Sequence, residues 1–148
     1  MKEAGLTKQE RGFLALIRIW MVLFFLATVL FIILPDWTLN YLGDIGRGIF
    51  GLSEPPVILG AERFWLVLAI ALLATLTYIC FEIQHDFLRR LEYARTVIIA
   101  KFVSAAGFAF CIFWHGYRFF YLTGAVVDGL IFAITWYYYN AAAKSRSR

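Results

Sequence analysis

Four stretches of the chain, Phe13 to Leu34, Phe64 to Ile83, Ala94 to Trp114 and Tyr117 to Tyr139, are apolar over about the 20 residues that a helix needs to cross a hydrocarbon core about 30 Å thick. Lipid gives backbone N–H and C=O groups no partners, so a spanning segment of this kind must be a helix. The expected fold is all-α, an integral membrane four-helix antiparallel bundle that forms a single transmembrane domain over residues 1–148. A hydrophobic fraction of 62% and a mean hydropathy of +0.74 exceed what a water-soluble core can absorb. The charged 16% is gathered between the apolar runs rather than spread along amphipathic faces, as in membrane spans and their loops.

The first apolar stretch follows Lys2, Lys8 and Arg11 and so looks at first like a signal peptide. It is longer than the roughly 7–15 residues of a secretory apolar region, and Pro35-Asp36-Trp37 follows it in place of a small-residue cleavage site. The segment is expected to stay attached as a span.

Orientation is read from the basic residues. Lys2, Lys8, Arg11, Arg89, Arg90, Arg95, Lys144, Arg146 and Arg148 fall on one side, and only Arg47, Arg63 and Arg118 on the other. That imbalance makes the first side cytoplasmic, with both termini there. Aromatic residues mark the same borders: Trp37, Trp65, Trp114 and Tyr117 outside, Tyr93 and Trp136 to Tyr139 inside. The net charge of +4 forms no stripe on a soluble face, so anionic lipid headgroups are the expected counter-charge and nucleic acid is not an expected partner.

The connection from Pro35 to Arg63 is the one long link, and its glycines with Pro55 and Pro56 argue against a single rigid helix. It is expected to be an outer loop whose apolar first half, with Trp37, Leu39, Tyr41, Leu42, Ile45, Ile49 and Phe50, anchors at the membrane interface; a lid over the bundle mouth is the alternative. The inner connection, Gln84 to Tyr93, and the turn at His115-Gly116 are short, which makes the last three spans neighbours. Residues 140–148 are expected to be a cytoplasmic tail whose Lys/Arg/Ser end is disordered.

Polar residues inside the spans are the ones that cost energy to place. Lys101 and Asp128 would each cost about 2.5–3.5 kcal/mol at a span centre, so they are expected to pair between the third and fourth helices. Small residues support a close approach there: Ser104, Ala105 and Gly107 on one helix, Gly124, Ala125 and Gly129 on the other. The favoured reading is an ion pair that fixes helix register; a ligand or proton site and a subunit contact are the alternatives. Arg18 with Glu82 is a second candidate pair on the cytoplasmic side, against snorkelling to headgroups, and Glu62 with Arg63 is a weaker one on the outer side.

Other chemistry finds little support. His85 and His115 lie toward opposite faces and cannot ligate one haem iron from two sides, and no Cys/His cluster has zinc spacing. No metal is expected. Cys80 and Cys111 are placed too far apart in depth to form a disulfide and are expected as free thiols. The buried hydroxyls, Thr28, Thr75, Thr77, Ser104, Thr123 and Thr135, sit in no nucleophile setting, so no catalytic residue is assigned.

Several features together resemble the DoxX-like group of small four-span bacterial membrane proteins. They are Arg18 early in the first span, the run Pro35-Asp36-Trp37 continuing through Leu39, Tyr41, Leu42 and Gly43, and Arg63-Phe64-Trp65 opening the second span. Lys101 and Val127-Asp128-Gly129 complete the likeness. The resemblance implies a compact bundle in the cell inner membrane and, by way of relatives linked to oxidation of sulfur compounds, contact with quinone. Lys101, Asp128 or Tyr78 would then meet a quinone carbonyl, with Phe108 packing on the ring. Three functions stand as expectations: a non-catalytic accessory or structural subunit, which is favoured; a quinone-interacting redox subunit of a membrane complex; and a small transporter or channel built as a homo-oligomer.

Overall fold

The structure, a computed structural model, describes residues 5–51, 63–115 and 117–146. Helices account for almost all of them: α1 Lys8–Ile33, α2 Pro35–Phe50, α3 Arg63–His85, α4 Phe87–Arg90, α5 Ala94–His115 and α6 Phe119–Arg146, with a 3-10 turn at Leu91–Tyr93. No strand occurs among the described residues. The four long helices, α1, α3, α5 and α6, are long and apolar enough to cross a membrane. They are apolar on nearly all sides, as a helix is when lipid rather than water surrounds it.

Local chemistry sets the helix ends. Thr7 and Glu10 form a reciprocal capping box at the head of α1: the Glu10 N–H donates to Thr7 Oγ1 at 3.3 Å, and the Thr7 N–H donates to Glu10 Oε2 at 2.8 Å. α1 stops one residue before Pro35, because a residue preceding proline is pushed out of the helical region. Pro35 then opens α2, where its missing N–H costs nothing. Gly51 closes α2 in the left-handed conformation, φ 64°, with its N–H on the Arg47 carbonyl at 3.0 Å.

Two segments expected to be irregular are therefore helical. The first half of the 35–63 connection is α2, a 16-residue helix that carries Gly43, Gly46 and Gly48 in its interior. Gly46 is buried against α6, where a Cβ would fall 2.6 Å from Phe119 Cβ, so this glycine is a packing position rather than a breaker. Residues 52–62, the second half of that connection, lie outside the described residues. The segment 140–146, expected as a tail, continues α6: Ala142 is fully buried, and Arg146 meets both Glu10 and the Leu88 carbonyl.

The closest helix partnerships are α5 with α6 and α1 with α3, and α1 and α6 also pack together. Along that last pair, positions that rise on α1 fall on α6: Thr7 meets Ser145, Phe13 meets Tyr139, and Trp20 meets Thr135. The core lies toward the end that carries Lys8 and Arg146. Among the residues whose burial is described, none on α1 is buried beyond Thr28, none on α3 before Leu76, none on α5 beyond Lys101, and none on α6 before Asp128. Phe13, Leu14, Ile17, Ile83, Phe87 and Leu91 fill this half, and Phe13 stands edge-on to Phe87 with ring centroids 6.1 Å apart. Large apolar side chains of the other half, such as Phe113 at 90% and Trp114 at 74% exposure, face outward.

Candidate functional site: a buried ion pair and a lateral groove

Lys101 and Ser104 stand three residues apart on α5 and so share a face. Both reach Asp128 on α6. The Lys101 ammonium donates to Oδ1 at 2.7 Å, and the Ser104 hydroxyl donates to Oδ2 at 2.5 Å. Lys101 and Asp128 are both buried. The helices can approach this closely because the facing positions are small. Phe108 lies directly over Gly124, where a Cβ would fall 2.6 Å from its ring, and Gly129 faces Ala105.

A third helix joins the cluster. The ammonium of Lys101 lies 4.8 Å from the ring centroid of Phe24 on α1, within cation–π range. Each carboxylate oxygen of Asp128 thus already accepts a hydrogen bond, and the charge of Lys101 is balanced by one carboxylate and one aromatic face. Removing either partner would strand a charge in low dielectric, which is far costlier than the pair itself. Among the described residues, no buried side-chain nitrogen or oxygen lacks a hydrogen-bond partner.

Two further networks hold the same half of the molecule. Trp20 Nε1 donates to Thr135 Oγ1 at 3.0 Å, and Thr135 donates onward to the Ile131 carbonyl at 2.5 Å. Arg95 Nε donates to the Tyr139 hydroxyl at 2.7 Å, and its guanidinium lies 5.8 Å from the centroid of that ring. Neither network is apparent from composition or charge, since each joins one polar group to an aromatic residue far away in sequence. The contact between Glu10 and Arg146 had a visible signal, the Thr7-Lys8-Gln9-Glu10 capping sequence, which fixes where α1 starts and hence which residue faces the end of α6.

The remaining candidates are placed apart from the ion pair. Tyr78 is 62% exposed and lines an open groove of about 410 Å³ between α1 and α3, bounded by Met21, Phe25 and Thr28 on one side and Ala74, Tyr78 and Phe81 on the other. Neither Lys101 nor Asp128 lines it. Thr28 and Thr77, which also border the groove, donate their hydroxyls to the carbonyls of Phe24 and Leu73 at 2.7 and 2.9 Å. The surface they leave is hydrocarbon in character. Glu82 is ion-paired with Arg90 of α4, and Arg18 lies on an exposed part of α1. Glu62 falls outside the described residues, and Arg63 is described only as the first residue of α3.

Among the described residues no group of three or more His, Cys, Asp or Glu side chains comes together as a metal site. Cys80 is buried, Cys111 is half-buried, and both are free thiols. No family model, curated protein or solved structure matches the chain.

Proposed function

We propose that this is a multi-pass protein of the cell inner membrane, a four-helix antiparallel bundle with both termini cytoplasmic, that serves as a non-catalytic accessory or structural subunit. The observation that carries this reading is the Lys101–Asp128–Ser104 cluster. Its hydrogen bonds are spent among α5 and α6, and its ammonium rests on α1, so it ties three helices together. A polar group used this way fixes the register of apolar helices, for which lipid supplies no hydrophobic preference.

The placement is supported by the concentration of Arg89, Arg90, Arg95, Lys144 and Arg146 around one end of the molecule. α2 supports it from the other end. Its Trp37 and Tyr41 stack with centroids 5.0 Å apart, Arg47 pairs with Asp44, and an amphipathic helix of this composition suits the outer interface. The DoxX-like likeness adds the inner membrane. In a variant without Cys80 and Cys111, single cysteines at positions 89 and 144 should react with a membrane-impermeant maleimide only after the cytoplasmic face is opened.

The role is tested by replacing the pair together. A Lys101→Met, Asp128→Leu double variant should remain inserted and folded and should support the complex it belongs to. Loss of that complex's activity in a correctly assembled double variant would count against a structural role. Quinone contact is a second reading, favoured by one observation: with Thr28 and Thr77 committed to their own helices, the Tyr78 phenol is the hydroxyl left to meet a carbonyl in the groove. Extractable quinone in the purified protein, lost with Tyr78→Phe, would move the assignment there.

A further inference from the structure

Gly12 lies in the second turn of α1, where glycine weakens a helix relative to alanine. Tyr138 of α6 accounts for it: a Cβ at Gly12 would fall 3.4 Å from Cε1 of that ring and 3.8 Å from Cδ1. The phenol therefore lies against α1 with its hydroxyl end leading, since Cε1 adjoins the carbon that bears the oxygen. Lys8 stands four residues before Gly12, Arg11 is the neighbour of Gly12, and these two basic residues share one exposed face of the helix. An ammonium, a guanidinium and a phenol are thus gathered about one turn of α1. Among the described residues none of the three has a hydrogen-bond or ion-pair partner.

The carboxylate of that turn is directed elsewhere. Glu10 is buried on the opposite side of α1, where it accepts from the Thr7 N–H and pairs with Arg146. Further into the span the outward face continues through Ala15, Ile19 and Val22, all exposed and apolar. One face of α1 thus passes from basic to hydrocarbon within two turns, as a leaflet does between its headgroups and its chains. We propose that Lys8, Arg11 and the Tyr138 hydroxyl hold the phosphate of an anionic phospholipid whose chains lie along Ala15, Ile19 and Val22. Two cations select a lipid of net negative charge, because the choline of phosphatidylcholine already balances its own phosphate. The guanidinium fork and a hydroxyl donor suit the several oxygens of a phosphate. The adjoining apolar face selects a lipid over a soluble phosphate.

The inference rests on the membrane reading above, though not on its orientation. Alkaline carbonate extraction of native membranes separates the two. Release of the chain into the soluble fraction sinks both, whereas retention leaves the lipid site to be judged alone. The judging experiment follows the unfolding midpoint of delipidated, detergent-solubilised protein as dioleoyl-phosphatidylglycerol, dioleoyl-phosphatidylcholine or glycerol phosphate is added. The half-maximal shift should need about 25-fold less phosphatidylglycerol than phosphatidylcholine, a factor of about five for each basic residue at the headgroup. Glycerol phosphate, which has no chains, should produce no shift.

Lys8→Gln and Arg11→Gln should each lower the preference about fivefold, and the double variant should abolish it while keeping the response to phosphatidylcholine. Both side chains are exposed, so folding is not at stake. Tyr138→Phe keeps the ring on Gly12 and removes only the donor, and it should weaken the phosphatidylglycerol response by about fivefold. Arg89→Gln, at a strongly exposed arginine of the inner connection, should leave the preference intact. Equal responses to the two lipids overturn the proposal, as does a preference that survives in the double variant. Loss of the preference in Arg89→Gln to the same degree as in Arg11→Gln overturns it too, since the charge of the whole end would then be responsible. A shift from glycerol phosphate as large as that from phosphatidylglycerol overturns the lipid as occupant, and an unchanged response in Tyr138→Phe overturns the three-donor site.

Discussion

Trp20 and Thr135 are 115 positions apart in sequence, yet the indole N–H of one donates to the hydroxyl of the other at 3.0 Å in the buried half of the molecule. Thr135 passes the interaction on, donating to the Ile131 carbonyl one turn earlier in α6. One hydroxyl thereby accepts from α1 and donates within its own helix, so its one proton and one of its two acceptor sites are used in the buried interior. The pair sits between the Lys101–Asp128 cluster and the contacts at the helix ends, and it sets how far α1 can slide along α6.

Thr135→Val keeps the shape and removes the hydroxyl, which leaves the Trp20 N–H buried without an acceptor. The expected loss is about 1–3 kcal/mol, with Thr135→Ser closer to the parent. Unfolding in mixed micelles of mild detergent and dodecyl sulfate measures the difference. Equal stability of the valine and serine variants would show that the bond contributes nothing.

Lys101→Met or Asp128→Leu alone leaves one charge stranded beside Phe24 and Ser104, and each should cost about 3–5 kcal/mol. Together they should cost much less than the sum, because neither charge then remains. A double-mutant cycle in the same micelles reads the coupling. Strictly additive losses would mean that the two groups act independently.

Glu10 serves two partners at once, the Thr7 backbone and the Arg146 guanidinium. Glu10→Ala should cost about 0.5–2 kcal/mol through the lost cap. It should also free the end of α6, so that trypsin cuts after Lys144 faster than in the parent. Unchanged cleavage would show that the end of α6 is held by its other contacts, Ala142, Ser145 with Thr7, and the Leu88 carbonyl.

Gly46→Ala and Gly48→Ala should diverge although they lie two residues apart on α2. At Gly46 the new methyl falls 2.6 Å from Phe119 Cβ, so α2 has to move off α6; at Gly48 nothing lies within 4 Å. Amide hydrogen exchange over residues 35–50 should rise in the first variant. In the second it should fall, by up to about fivefold, since alanine is favoured over glycine by about 1 kcal/mol inside a helix. The same behaviour in both would remove the α2–α6 contact from consideration.

The four long helices were legible because an apolar run of spanning length has few alternatives. The contact of Lys101 with Asp128 was legible because a charge inside such a run must find a partner. The sequence misled where a residue type has two uses. Gly43, Gly46 and Gly48 were read, with Gly51, Gly60, Pro55 and Pro56, as evidence against one rigid helix over 35–63, yet these three lie inside α2: Gly46 is small so that α6 can approach, and among the described residues only Gly51 adopts the backbone conformation that needs glycine. The charged run at Lys144 to Arg146 was read as a tail, whereas the alanines before it continue the helix and Ala142 is buried. Glu82 was read with Arg18 in view, and the structure adds Arg90 of the short α4 as an ion-pair partner. Tyr78 shares a membrane depth with several polar groups but points into the α1–α3 groove, a matter of azimuth that one-dimensional reading does not carry.

The clasp at the helix ends sets an order of assembly. Thr7 and Ser145 are 138 positions apart, so when the first helix enters the bilayer its capping residues have no tertiary partner yet. That helix has to wait in lipid, docked on nothing but its nearest successors, until the ribosome has delivered almost the whole remainder of the chain. Closure of the structure is for this reason a late event, completed after synthesis of residue 146 rather than span by span.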